Sequence, residues 1–266
     1  MKFHRFGLGT YLNDDHEQCA ESVATAIDVG YRHIDTAQGY DNEAAVCEGI
    51  ERSGLSHEDV FVATKLATGN LAYDDVIETT KASADRLGVE TIDLMYVHWP
   101  INTYDPDETI PALDELVDRG IIDRVGLSNF RPDQLEAAID RLDAPLFAHQ
   151  VEMHPMLPQE VLHQCAVDDD HWLVAYCPIA RNEVADVPTL VDIAETYDAT
   201  PAQISLAWLL EKENVAPIPK ATGERHIREN FEAQTIELSD DDVRRIDDLD
   251  RERRIVDFDA APWNQV

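Results

Sequence analysis

The chain has 266 residues, 44% of them hydrophobic, enough core for one barrel-sized domain or two smaller ones. Its net charge of −33, from 54 acidic against 21 basic residues, excludes a nucleic-acid binder, whose surface carries the opposite sign. No apolar run approaches the roughly 20 residues that span a bilayer, and Met1 is followed by KFHRFGLGTY rather than a signal-peptide core, so no membrane partner and a cytoplasmic location are expected.

Strand-like and helix-like segments alternate from end to end. FGLGT leads to an amphipathic stretch with apolar Cys19, Val23, Ala26 and Ile27, closed by the C-cap type residue Gly30. YRHID reads as a strand and 42–52 as a helix. VFVATK is a strand, followed by a helix over 73–87 that ends near Gly88. IDLMYVH is a strand, with a helix around 110–119 before Gly120. IIDRVGLS precedes a helix opening at Pro132, a residue favoured in the first turn. LFAHQ and WLVAYC flank a helix around 159–167. PAQISLAWLL starts at Pro201 with Thr200 as N-cap. VAPIP is the last strand, and helices over 224–231 and 239–249 follow it. These make eight β-then-α units with no linker and no internal repeat, the pattern of a single-domain (β/α)8 TIM barrel. An open doubly wound sheet would also alternate, but GLGTYLND is not a GxGxxG turn, so a Rossmann pyrophosphate site is unsupported.

Cys19, Cys47, Cys165 and Cys177 show no CxxC or metal-ligand spacing, so reduced thiols and no metal are expected. Acidic runs at Asp168–Asp170 and Ser239–Asp242 fall where helices meet solvent. Apolar periodicity argues against disorder. The remaining reading is a folded, halophilic chain, adapted to salt at which screening shrinks to about 3 Å or less. Only five residues are lysine, and Lys65 and Lys220 both fall at strand ends.

Chemistry gathers at strand ends. Asp35 and Tyr40 lie in DTAQGYDNE, Lys65 closes VFVATK, and His98 closes IDLMYVH. Singly, these read as a helix cap, a packed aromatic, a solvated charge and a structural histidine. Together, at one rim of a barrel, they fit proton transfer to a carbonyl oxygen while hydride reaches the carbon. An ammonium near a phenol lowers its pKa from about 10, and a buried carboxylate holds that ammonium in place. Tyr40 would be the general acid and a neutral His98 would orient the carbonyl. The sequence has no GxSxG nucleophile elbow, which favours hydride transfer over hydrolysis. Lys220, after the last strand and before a helix, sits where barrels commonly bind phosphate.

These motifs, with HQVEMHP, AYCPIAR, IPKATGERHIRENF and APWNQ, resemble the aldo-keto reductase family, near the prokaryotic branch that includes the 2,5-diketo-D-gluconate reductases. The resemblance spans nearly the whole chain. It implies a barrel that binds NADPH in extended form at the C-terminal rim, without a metal, and reduces aldehydes, ketones or keto sugars as a monomer. It places Ser128, Asn129 and Gln150 on the nicotinamide carboxamide, Tyr176 under the ring and Thr10 at the first strand. It gives Lys220, Ala221 and Thr222 to phosphate, and Glu229 and Asn230 to adenine. Cys177 replaces the family's usual Ser, and His149 stands where Asn is usual. His226, beside Arg225, replaces an Arg that grips the adenosine phosphate. Tyr11, Trp99 and Trp263 would wall an open substrate pocket. Two other readings are a non-catalytic nicotinamide-binding sensor, which need not keep the tetrad, and a sugar-phosphate lyase or isomerase, which would need no carboxamide trio.

Overall fold

A computed structural model describes residues 2–250 and 252–265. Eight parallel strands run in sequential order: β1 (Leu8–Gly9), β2 (His33–Asp35), β3 (Phe61–Leu66), β4 (Leu94–Val97), β5 (Val125–Ser128), β6 (Leu146–Glu152), β7 (Trp172–Tyr176) and β8 (Val215–Pro217). The sheet curls until its ends meet: Gly7 N–H donates to Pro217 O and Gly9 N–H to Pro219 O, each at 3.1 Å, and Gly9 bridges Lys220. Closure needs glycine at Gly9, where a Cβ would sit 2.9 Å from the Ile218 carbonyl oxygen. The fold is the expected (β/α)8 barrel, and closure removes the sheet edges.

Helices cover the outside: α1 (His16–Val29), α2 (Glu43–Ser53), α3 (Tyr73–Leu87), α4 (Pro106–Asp118), α5 (Pro132–Ile139), α6 (Glu160–Asp168), α7 (Pro188–Thr196), α8 (Pro201–Glu211), α9 (Glu224–Glu232) and α10 (Asp240–Asp247). Local chemistry sets their ends. Thr200 caps α8 by accepting the Gln203 N–H at 3.2 Å, and Gly30 ends α1 at φ 129°, a value only glycine adopts freely. α4 begins a turn earlier than its apolar periodicity suggests, because Asp105 caps it and Pro106 supplies a preset φ. The sequence reading has no counterpart for α7 or the 3-10 segment Ala180–Asp186, so two helices, α7 and α8, follow β7. The acidic runs lie as expected: Asp168–Asp170 are exposed at the end of α6, and Ser239 caps α10 ahead of three aspartates that suit its positive N-terminus.

Strand period places the chemistry. Alternate residues face the barrel axis, where Phe61, Ala63, Leu94, Tyr96, Ala148, Val174 and Ala216 pack in layers and the Phe3 ring plugs one end. Gly126 leaves room for the Tyr96 ring, which a Cβ there would strike. Continuing each inward row toward the strand C-termini gives Asp35 after His33, Lys65 after Ala63, His98 after Tyr96 and Gln150 after Ala148. Outward residues pack under the helices in the larger core.

Candidate active site

The C-terminal mouth opens into a cavity of about 440 Å³. Asp35, Tyr40 and His98 line it, while Lys65 lies beneath, fully buried. Lys65 Nζ pairs with Asp35 Oδ1 and donates to the Thr36 carbonyl at 2.7 Å. Gln150 Nε2 donates to the other Asp35 oxygen at 2.8 Å. Tyr40 ends a 3-10 turn, Gln38–Tyr40, that swings its ring over the rim, 5.0 Å from Lys65 Nζ and 5.6 Å from the His98 ring. The four predicted residues therefore meet in one place.

Their protonation differs in one respect from the sequence expectation. Burial, then the Asp35 charge, pushes the Tyr40 phenol well above its usual pKa, opposite to the lowering expected from a nearby ammonium. The phenol thus holds its proton at neutral pH, the state a general acid needs. Burial raises the Asp35 carboxyl and lowers the Lys65 ammonium, and each charge opposes the shift of its partner. His98 is neutral as expected: burial, with Lys65 adding to it, lowers its pKa to about 3.

The opposite wall carries Ser128, Asn129 and Gln150, the trio expected to meet the carboxamide. Asn129, held at φ 63° just after β5, donates through Nδ2 to the His98 carbonyl and to Ser128 Oγ, each at 3.0 Å. Its Oδ1 accepts from the Tyr176 hydroxyl at 2.8 Å, which fixes that ring against the cavity. Ser128 Oγ donates to the Gln150 carbonyl at 2.9 Å. Thr10 Oγ1 donates to the Asp35 carbonyl at 3.0 Å, tying β1 to β2 below the site. His149 does not face this wall. It points outward, fully buried, and its Nε2 accepts the Phe130 N–H at 3.3 Å, so it braces the turn carrying Asn129.

At the far end, Lys220 is exposed at the cavity and α9 follows, with Gly223 as N-cap. Arg225 and His226 extend from its first turn, and both engage Glu229, at 2.7 and 3.0 Å. The Glu229 carboxylate is therefore committed to these side chains. Ala221 and Asn230 are buried and Thr222 is half-buried, and none of the three lines the cavity.

Tyr11 and Trp99 line the cavity as expected, but Trp263 does not. Its ring stacks behind Trp99 at 5.6 Å, under the Arg254 guanidinium, because its indole N–H is held by Asp257 at 2.9 Å. Val256, Phe258 and Arg181 line the cavity without having been read from sequence. Arg181 is carried by Ala180, Arg181 and Asn182 in succession at φ 48°, 50° and 74°, a strained run of the kind found at functional sites. One further group of candidate metal donors, Cys47, Glu51 and His57, lies on α2 and the turn after it, and none of the three lines the cavity.

The donor set fits a reduced nicotinamide dinucleotide: an aromatic face at Tyr176, interlocked amide and hydroxyl groups beside it, and cations with a helix N-terminus at the far end. A phenol and a neutral imidazole facing that wall define a nicotinamide-dependent carbonyl reductase.

The comparisons agree. The model of the Aldo/keto reductase family matches residues 5–251, and the chain belongs to that family. It is 34% identical over 250 residues to the glyoxal reductase of Bacillus subtilis, covering 94% of this chain and 90% of that one. A crystal structure named as a 2,5-diketo-D-gluconic acid reductase B superposes with TM-score 0.92 at 33% identity, covering 97% and 92% of the two chains. The Bombyx mori aldo-keto reductase in complex with NADP superposes with TM-score 0.88 at 28% identity, covering 97% and 92%. The chain is thus an NADP(H)-dependent oxidoreductase that reduces carbonyl groups, and nothing favours a non-catalytic reading.

Proposed function

We propose that the enzyme reduces small aldehydes, dicarbonyls and keto sugars, with Tyr40 as proton donor, His98 holding the carbonyl oxygen, and the Lys65–Asp35 pair fixing the charge beneath them. The observation that carries this is the shared wall of Tyr40 and His98 over that buried ion pair. The bound cofactor supplies the hydride. Ser128, Asn129 and Gln150 would hold the carboxamide, and Tyr176 would pack against the nicotinamide ring, while His98 would hold the substrate's carbonyl oxygen. Cys177, its thiol pushed up to about 11 by burial, stays protonated at the cavity wall. A small dicarbonyl fits the name of the Bacillus relative, a glyoxal reductase. Following loss of reduced-nicotinamide absorbance with glyoxals, aromatic aldehydes, keto acids and keto sugars tests the assignment. Inactivity toward every carbonyl class would sink it.

Lys220 and Arg225, with Thr222, His226 and Asn230 around them, would hold the adenosine phosphate and adenine. A phosphate dianion should draw Arg225 away from Glu229, since charge-assisted pairs to phosphate are strong. Arg225→Ala is expected to weaken NADPH binding about tenfold and leave NADH nearly unchanged, as read by fluorescence titration. Equal loss for both cofactors would remove Arg225 from the phosphate site.

The acidic surface supports a high-salt setting, and no helix among the described residues is long and apolar enough to cross a membrane. We read the protein as a cytoplasmic monomer. At −33 the compact state repels itself more than the expanded unfolded chain does. Screening, and exclusion of salt from the surface, should relieve this. The melting temperature is expected to climb steeply from low to molar KCl, while NADPH affinity stays level or falls because the same screening weakens Lys220. A flat series, or one highest at low salt, would refute the adaptation.

A further inference from the structure

The reaction above makes no use of the carboxylate of Glu152. It ends β6, is fully buried, and pairs with no lysine or arginine among the described residues. Its Oε1 accepts the Ile255 N–H at 2.5 Å and faces His154 Nε2 at 3.0 Å, and its Oε2 accepts the Val256 N–H at 2.7 Å. The donors lie more than 100 positions downstream. A buried carboxylate is tolerated only when hydrogen bonds replace its water. Here two consecutive backbone N–H groups of the C-terminal segment do so.

That segment, 252–265, has one short helical turn, Pro262–Asn264, so little of its shape comes from its own backbone. It is pinned at points along its length. Arg253 N–H donates to Met156 O at 2.8 Å, and Pro262 O accepts from Arg131 at 2.9 Å. Between these pins, Val256 and Phe258 line the cavity, and the Phe258 ring meets Trp99 at 4.9 Å. Phe258 is 39% exposed, an apolar face without a cover. We propose that Glu152 is a positioning residue for substrate specificity: by clamping the Ile255 and Val256 amides it sets Phe258 against Trp99 as an aromatic cleft for apolar and aromatic carbonyl substrates. This rests on the reductase reading. Glu152 also faces Tyr176 and Cys177 electrostatically, raising both, so its effect through charge must be separated from its effect through the clamp.

Two variants separate them. Glu152→Gln turns one acceptor into a donor facing an N–H, which leaves a buried group unmatched. Val256→Pro removes one N–H and leaves the charge. In Glu152→Gln, hydrogen exchange at the Ile255 and Val256 amides should quicken about tenfold or more. Its kcat/KM for benzaldehyde should fall about tenfold, through KM, while methylglyoxal turnover and NADPH affinity stay within about threefold. Val256→Pro should reproduce the benzaldehyde loss. Unchanged exchange, equal losses on both aldehydes, or a normal benzaldehyde KM in Val256→Pro would each overturn the proposal, and the last decides the matter if Glu152→Gln does not fold. A wild-type protein reducing neither these aldehydes nor any other carbonyl class would refute the reductase reading while the exchange result still tested the clamp.

Discussion

Tyr40→Phe is expected to lower turnover roughly 100-fold or more, the scale of general acid catalysis, while NADPH binds almost as before. The variant keeps the ring that packs beside Tyr11 and His98, at 5.2 and 5.6 Å, and removes only the proton donor. Since burial holds that phenol protonated well above neutral pH, carbonyl reduction should lose nothing as pH rises from 6 to 8 through this group. The reverse reaction, which needs the phenolate, should gain as pH rises. Single-turnover rates with saturating NADPH, alongside cofactor titration, check both. Near-normal turnover would mean that another group delivers the proton.

Acid should destabilise this protein despite its charge. Lowering pH discharges carboxylates and relieves self-repulsion, which by itself would favour folding. Against that stand His33 and His149, fully buried and held neutral, each with its pKa lowered by burial to about 3. The unfolded chain binds those protons near pH 6.5 and the native state does not, so their stability is present above about 6.5 and is lost as pH falls toward 3. Each costs about 1.4 kcal/mol per pH unit in that window. By pH 4.5 the pair would remove about 5 kcal/mol, a large part of a typical 5–15 kcal/mol total. His149→Asn can still accept the Phe130 N–H and has no proton to gain. Its melting temperature should fall less steeply than the parent's between pH 6.5 and 4.5. Parallel melting curves would show that His149 titrates in the native state.

The same residue shows where a family pattern misleads. Beside Gln150 in sequence, His149 looks like part of the carboxamide site, yet strand alternation turns it to the opposite face. That alternation was in the sequence, and it places Asp35, Lys65, His98 and Gln150 correctly, each two residues beyond an inward core position. The order of elements along the chain, cap residues at Thr200 and Gly30, and the cation after β8 were legible for the same reason: they depend on neighbours a few positions away. α7 escaped because its signal, Pro188 ahead of a short apolar run, is weak beside the strained 180–182 turn before it.

By itself, then, the sequence determined the repeating β-then-α order, the inward rows and the Asp35, Lys65 and His98 they carry, because period and local capping are short-range physics. Only the tertiary structure decided what required separate parts of the chain to meet. Burial reversed the expected direction of the Tyr40 phenol, Asp257 drew Trp263 behind Trp99, and the Glu152 carboxylate reached across more than 100 positions to hold Val256 over the cavity. Desolvation and long-range hydrogen bonds depend on which groups surround an atom in space, and no spacing along the chain records that.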